Sequence, residues 1–491
     1  MERRMNCAEL EGKVMSDGQA AELIRDGMVV AASGFTLFGY PKDVPRALAE
    51  RAERGERIGI TLITGASVGD ELDGALARAG VIRRRYPYQS HPDVRRGANG
   101  NEIAYADLHL SQLPGMMRRG VFGPIDVGIL EVAAVGPRGE LYPTTSLSIS
   151  AAIVQCARKL ILEVNTAQSP HLIGMHDVYD RGRHPGQPVP ILSPDQRVGQ
   201  PWLKCDWEQV AAVVYTDRPD PGAKLAATKP EHRKMAEHLL DFLEQETRRG
   251  RLPQPLPPLQ SGVGGVANAV LGGLLHSELE GLTFYSEVIQ DAVLDLIDCG
   301  KMKCASATGL SFTPEGLRRF EERAEHYARH IVLRPVDVSN CGEVIQRLGV
   351  IAMNTAVECD LYGNVNSTHV RGTQVLNGIG GSGDFARNAG VSVFFTESTA
   401  KGGSVSCVVP FCTHIDHTEH DVQIIVTEQG LADLRGLSPR ERAEVMVERC
   451  AHPRFRPALR RYLERAEKGH IAHDLKTAFL PLEAEDTETT M

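Results

Sequence analysis

At 491 residues the chain is too long for one hydrophobic core, so two or three domains are expected. A hydrophobic content of 42%, a charged content of 24% and a net charge of −9 describe a mildly acidic globular protein. That balance argues against nucleic acid as a partner, and no apolar run approaches the roughly 18 residues that cross a bilayer.

The first twelve residues lack an apolar stretch and mix acids with arginines, so no signal or transit peptide is expected and the location reads as cytoplasmic. Ten cysteines run from Cys7 to Cys450 without a Cys-x-x-Cys pair, the pattern of reduced buried thiols and not of disulfides or a zinc site. The looser pairs Cys299 with Cys304 and Cys407 with Cys412 lie in apolar surroundings that suit packing better than a metal.

Met28 to Gly34 reads as a buried strand running into a turn, and residues 41–55 as a helix with proline near its start and glycine at its end. Strands follow at residues 60–65, 127–132, 159–164 and 210–215, with helical segments between them. This alternation predicts an α/β protein with mixed, largely parallel sheets. The composition breaks between Asp217 and Pro230, and after a helix at residues 232–250 a proline-rich run spans residues 252–259. We place a boundary near residue 220, giving domains 1–220 and 221–491. Strand, glycine loop and helix at residues 258–275 echo the order at residues 28–54, which suggests two related open α/β domains.

Three glycine-rich loops follow. Gly262-Val-Gly-Gly-Val-Ala-Asn268 places backbone N–H groups at a helix N-terminus, suited to a phosphate or an oxyanion. Asn377-Gly-Ile-Gly-Gly-Ser-Gly-Asp384 carries more glycine than a structural turn needs, which points to close approach of the backbone to a ligand. Lys401-Gly-Gly403 reads equally as a hairpin turn. Between the first two loops, Glu287 stands where the apolar run 282–285 gives way to a helical pattern, at the C-terminal end of a strand, where open α/β sheets do chemistry. A carboxylate in a first helical turn also has a purely structural reading, through the helix dipole. His414, His417 and His420 recur at intervals of three beside Asp416 and Glu419, and a hydrogen-bonded loop is expected there in preference to a metal. Glu428 ends a further strand, and Ser438-Pro-Arg-Glu441 is a capping box.

Taken together, Tyr285-Ser-Glu287-Val288, the loops at 262–270 and 377–385, and Val426-Thr-Glu-Gln-Gly430 with the residues up to Gly436 resemble the acetyl-CoA hydrolase/transferase family. Ser33-Gly-Phe-Thr36, residues 62–66, Asp107-Leu-His-Leu-Ser111 and Glu163-Val-Asn165 extend the resemblance over nearly the whole chain. Members include succinyl-CoA:acetate and propionyl-CoA:succinate CoA-transferases. The resemblance implies two related open α/β domains, a homodimer, and Glu287 as a nucleophile that forms a glutamyl-CoA thioester. It further implies oxyanion donors in the backbone N–H groups of Val263 and Gly381, and coenzyme contacts at Gly262, Val263, Gly264, Gly265, Val266, Val357, Asn377, Gly381 and Lys401. Coenzyme A is then a substrate with acyl-CoA and short-chain carboxylates as partners; no tightly bound cofactor and no metal are expected. Departures from the family pattern are Leu37 and Phe38 in place of Pro-Ala, and Gly265 in place of asparagine. If the turn holding Phe38 faces the acyl pocket, that ring reshapes it. The alternative readings are an acetyl-CoA hydrolase using the same glutamate, a non-catalytic CoA-binding protein, and a nicotinamide-dependent dehydrogenase. The last lacks its glycine fingerprint in the first βαβ unit.

Overall fold

The computed structural model describes residues 4–182, 185–224 and 227–480. The chain forms two compact units that interleave in sequence. The first takes Met1–Lys224, Thr283–Leu348 and Asn377–Asp384, and the second takes Leu225–Leu282, Gly349–Leu376 and Phe385–Met491. The chain therefore leaves the first unit close to the expected boundary but returns to it twice, carrying Glu287 and the loop at 377–384.

The first unit is built on a nine-stranded mixed sheet. Strands Ala104–Tyr105, Ile82–Tyr86, Ile60–Ile63, Val29–Ala32 and Ile125–Val135 lie side by side and parallel. Ile125–Val135 also pairs parallel with Ala157–Asn165, which in turn pairs with Val210–Thr216, and antiparallel with Glu140–Pro143. Both faces are covered, and the period-2 pleat sorts the side chains between two cores. Ala31, Leu130, Val132, Leu160 and Leu162 enter one; Val30, Ala32, Val127, Ile129 and Ile161 enter the other. The expected strands are all present, each within two residues of its predicted ends, except that Ile125–Val135 is longer.

Several motifs of the resemblance serve this scaffold. Glu163 accepts the N–H groups of Lys42 and Val44, each at 2.7 Å, and so caps the helix Asp43–Glu53 from the neighbouring strand. Burial pushes its carboxyl up to about 7, with those N–H groups pulling the other way. Lys42 is fully buried between Glu131 (2.6 Å) and Asp220 (3.0 Å), and Asn165 donates to Glu131 at 2.9 Å. Phe38 is fully buried in the turn after Val29–Ala32.

Within the same unit, strand Met302–Ala307 pairs parallel with Ile331–Leu333 and neighbours Leu282–Tyr285. Leu147 N–H donates to the Thr308 carbonyl at 2.8 Å, and Leu333 N–H to the Met175 carbonyl at 3.0 Å, tying this returning segment to the first part of the chain.

In the second unit, Leu259–Ser261, Ile351–Thr355, Val391–Phe395 and Ile424–Thr427 are parallel in that order, and Gly430–Asp433 closes the edge antiparallel. Helix Pro230–Arg248 opens with proline at its first position, where the missing N–H costs nothing. Ser438 and Glu441 form the expected capping box of Pro439–Val445. Cys359, Leu361, Phe394, Val408, Ile425 and Leu459 belong to this unit's core. All ten cysteines are free thiols. Among the described residues no helix is long and apolar enough to cross a membrane. The fold is α/β with mixed, mostly parallel sheets.

Candidate active site

Glu287 does not begin a helix. It occupies a bend between Leu282–Tyr285 and the two-residue strand Val288–Ile289, and the next helix starts at Asp291. The helix-dipole reading therefore does not account for it. Its backbone carbonyl accepts the N–H groups of Thr308 at 2.9 Å and Gly309 at 3.1 Å, while Val288–Ile289 pairs with Gly309–Leu310. The backbone is clamped, and the side chain leaves it in a defined direction.

As a residue Glu287 is neither fully buried nor exposed. Oε1 lies 3.2 Å from Nδ2 of Asn340, whose same nitrogen lies 3.2 Å from Oδ2 of Asp384. Asn340 is oriented in turn by Ser339 Oγ, which donates to its Oδ1 at 2.8 Å. Ser111 holds Asp384 through its N–H at 3.0 Å and its hydroxyl at 2.6 Å. Burial, and secondly the charge of Asp384, pushes the Glu287 carboxyl up to about 7, with the Asn340 amide opposing. Among the described residues no cation pairs with Glu287. An unpaired carboxylate with a raised pKa is a stronger nucleophile than an ordinary glutamate and is still substantially ionised near neutral pH.

The loop at 377–384 is seated on the first unit. Ile379 N–H donates to Asp107 Oδ2 at 2.7 Å, and Asp384 is the residue held by Ser111. At Gly381 a Cβ would overlap Oε1 of Glu287, and at Gly378 it would stand 2.5 Å from Asp107 Oδ1 and from the Tyr105 hydroxyl. Glycine is required at 381 because the backbone itself abuts the carboxylate. Asn377 hydrogen-bonds Tyr88, whose hydroxyl is pushed up to about 12 by burial and then by the charge of Glu287. Three expected residues, Glu287, Asn377 and Gly381, are thus parts of one constellation.

The remaining expected residues belong to the second unit. Gly264 caps helix Gly265–His276 with φ +128°, a conformation suited to glycine, and Val263 beside it is half exposed. A Cβ on Gly262 or Gly264 would meet nothing, so the backbone there faces open space. Gly265 differs: a Cβ there would stand 2.5 Å from Nδ1 of His232. The His232 ring occupies the room that the asparagine usual in the family would need, and its Nε2 lies 3.3 Å from Glu397. Val266 is buried in the first turn of the helix. Val357 is partly exposed, and its N–H donates to the Asn366 carbonyl at 2.8 Å.

Lys401 sits on the turn between antiparallel strands Thr399–Ala400 and Val405–Ser406. Lys401, Gly402 and Gly403 are all left-handed, with φ +49°, +67° and +92°. For a lysine that conformation costs on the order of 1 kcal/mol. This turn lines a cavity of about 510 Å³ with Lys229, Lys234, Glu397, Glu428 and His452.

Sequence reasoning missed Asn340 and gave Asp384 no role beyond its loop. Asn340 follows the short helix Val336–Ser339 without a motif of its own, and only the fold brings it to Glu287.

Residues 1–189 match the acetyl-CoA hydrolase/transferase N-terminal domain and residues 316–463 the C-terminal domain of the same family. The chain is 45% identical to a succinyl-CoA:acetate CoA-transferase of Clostridium kluyveri, covering 97% of this chain and 90% of that protein. It is 40% identical to an acetyl-CoA hydrolase of Schizosaccharomyces pombe, covering 97% and 95%. The crystal structure of RipA from Yersinia pestis superposes with a TM-score of 0.72 at 23% identity, covering 92% of this chain and 97% of that one, which shows a shared fold. From the matches at both ends and the near full-length identity, the chain belongs to the acetyl-CoA hydrolase/transferase family.

Proposed function

We propose that the protein transfers coenzyme A from a short-chain acyl-CoA to a carboxylate acceptor (acetate, propionate or succinate) through a thioester on Glu287. The observation that carries the reading is the Glu287 carboxylate, paired with no cation among the described residues and abutting the backbone at Gly381.

The carboxylate attacks the thioester carbonyl, the C–S bond breaks, and an acyl-glutamyl anhydride forms with release of CoA thiolate. The thiolate attacks the glutamyl carbonyl, the acyl group leaves as a carboxylate, and Glu287 carries the CoA. An acceptor carboxylate attacks this thioester, its C–S bond breaks to release the CoA thiolate, and a second anhydride forms. The thiolate then takes the new acyl group and frees Glu287. Exchanging one carboxylic derivative for another conserves the energy of the thioester.

Each attack creates an oxyanion, for which the N–H groups of Val263 and Gly381 are the assigned donors. Gly262 and Gly264 leave open space beside the Val263 amide, and Gly381 abuts the Glu287 carboxylate, which supports that assignment. Residues 262–266, Val357, Asn377, Gly381 and Lys401 are assigned to the coenzyme, Lys401 by its charge and its left-handed turn. Coenzyme A is a substrate here, and no resident cofactor or metal takes part in this reading. A cytoplasmic homodimer with family domains 1–220 and 221–491 completes the proposal.

Incubation with acyl-CoA followed by borohydride should reduce a trapped thioester at Glu287, detected by mass spectrometry of its peptide. An unmodified peptide, with activity intact in Glu287→Ala, would sink the proposal. Hydrolysis is the second reading, favoured by the partial exposure of Glu287, which gives water a path to the thioester. Acyl-CoA loss that accelerates strongly with added acetate, propionate or succinate supports transfer; equal rates with and without acceptor support hydrolysis.

A further inference from the structure

We propose that His369, His414 and Asp416 bind one divalent transition-metal ion of the Zn²⁺ type, at a site that the acyl-transfer chemistry does not use.

The histidines regularly spaced in sequence are not the ones that meet. His417 is buried, its ring 4.6 Å from that of Phe394, and His420 is exposed beside Glu419. His369 arrives instead from a hairpin of His369–Val370 and Gln374–Val375. Backbone bonds from Asp416 N–H (2.9 Å) and His417 N–H (3.1 Å) to the Val365 carbonyl hold the two stretches together. The rings of His369 and His414 then lie 4.0 Å apart, and one ligand atom from each histidine and from Asp416 falls within 4.8 Å of the others. Nε2 of His414 is 3.0 Å from Oδ1 of Asp416. Two ligands about 2.0–2.2 Å from one ion are separated by about 3.0–3.5 Å, so these atoms already stand near the edge of a coordination polyhedron.

The hydrogen bonds around the cluster prepare it for an ion. Thr368 Oγ1 lies 2.8 and 2.9 Å from the two oxygens of Asp416 and 2.7 Å from Nδ1 of His369. A hydroxyl has one proton and an ionised carboxylate only accepts, so Thr368 donates to Asp416 and accepts from Nδ1–H of His369. With the proton on Nδ1, the lone pair of the His369 ring lies on Nε2. Ser367 N–H donates to Asp416 Oδ2 at 2.6 Å, orienting the carboxylate before any ion arrives. The His414 side chain is 39% exposed, which leaves room for a water ligand. On binding, Nε2 of His414 exchanges its bond to Asp416 for the ion, and its proton passes to Nδ1. Two imidazoles and one carboxylate suit Zn²⁺ better than Mg²⁺ or Ca²⁺.

The other such cluster among the described residues, Asp70, His91 and Asp93, already holds a cation: Arg78 lies 2.7 Å from Asp70 and 2.8 Å from Asp93. It serves as the control.

Full-length protein stripped with a chelator is titrated with Zn²⁺ against a chromogenic chelator, and separately with Co²⁺. One Zn²⁺ per chain at micromolar affinity or tighter is expected, weakened about tenfold or more by His369→Asn and by His414→Asn and unchanged by His91→Asn. Absence of stoichiometric binding, or equal affinity in all variants, overturns the site. If the variants fail to fold, the Co²⁺ spectrum of the native protein decides: intense tetrahedral bands support the site, and the weak spectrum of the aqueous ion overturns it.

Discussion

Asn340 donates to Glu287 Oε1 at 3.2 Å, and the same amide nitrogen reaches Asp384 Oδ2 at 3.2 Å. One neutral donor therefore separates two carboxylates whose charges raise each other's cost of ionisation. Among the described residues no cation pairs with Glu287, and that amide lowers its pKa against the burial and the Asp384 charge that raise it.

The acid limb of kcat is expected near pH 7, where Glu287 gains its charge. Asn340→Ala removes the group that favours the charged form, so the limb moves to higher pH. Asp384→Asn removes a charge that opposes it, so the limb moves lower. Rate profiles of the two variants shifting in the same direction would contradict this balance.

The same pKa links to stability. The folded state holds the Glu287 proton up to about pH 7, whereas an ordinary glutamate carboxyl loses it near 4.5, so ionisation destabilises the fold as pH rises through that interval. Glu287→Gln escapes this loss. It is expected to gain about 1–3 kcal/mol relative to the parent between pH 5 and pH 8, discounted for the partial exposure of the residue. Thermal midpoints of both proteins at the two pH values provide the check; a constant difference would refute the linkage.

Gly381→Ala places a methyl where Oε1 of Glu287 stands. The carboxylate must swing away, so we expect kcat to fall by about 100-fold or more while thioester trapping at Glu287 is lost in parallel. Full trapping in the alanine variant would show that the contact is dispensable.

Gly265→Asn restores the residue usual in the family but collides with His232. Overpacking of this kind costs about 1–3 kcal/mol. The double variant with His232→Ala should recover most of the loss, since the ring is the obstacle. Strictly additive losses in a double-mutant cycle would place the strain elsewhere.

Local patterns in the chain carried most of the fold. Strands such as Val210–Thr216 are nearly continuous apolar runs because a parallel sheet covered on both faces buries alternate residues in separate cores. Ser438 with Glu441, and the proline opening Pro230–Arg248, are short-range signals that act within one helical turn. Glu287 and the two glycine loops were legible for the same reason: each has a motif of adjacent residues.

What depended on contacts between distant segments was hidden. The helical pattern after residue 285 suggested that Glu287 begins a helix, yet pairing of Val288–Ile289 with Gly309–Leu310 holds it in a bend. Asn340 has no local signature, His232 meets the Gly265 position from a separate helix, and His369 comes beside His414 from a separate hairpin. The sequence by itself determined the α/β class, the family and the nucleophile candidate, since these rest on residues near one another in the chain. Only the tertiary structure decided what surrounds that carboxylate, because burial, Asp384 and Asn340 act through space, and their distances arise when residues 283–348 and 377–384 return to the first unit.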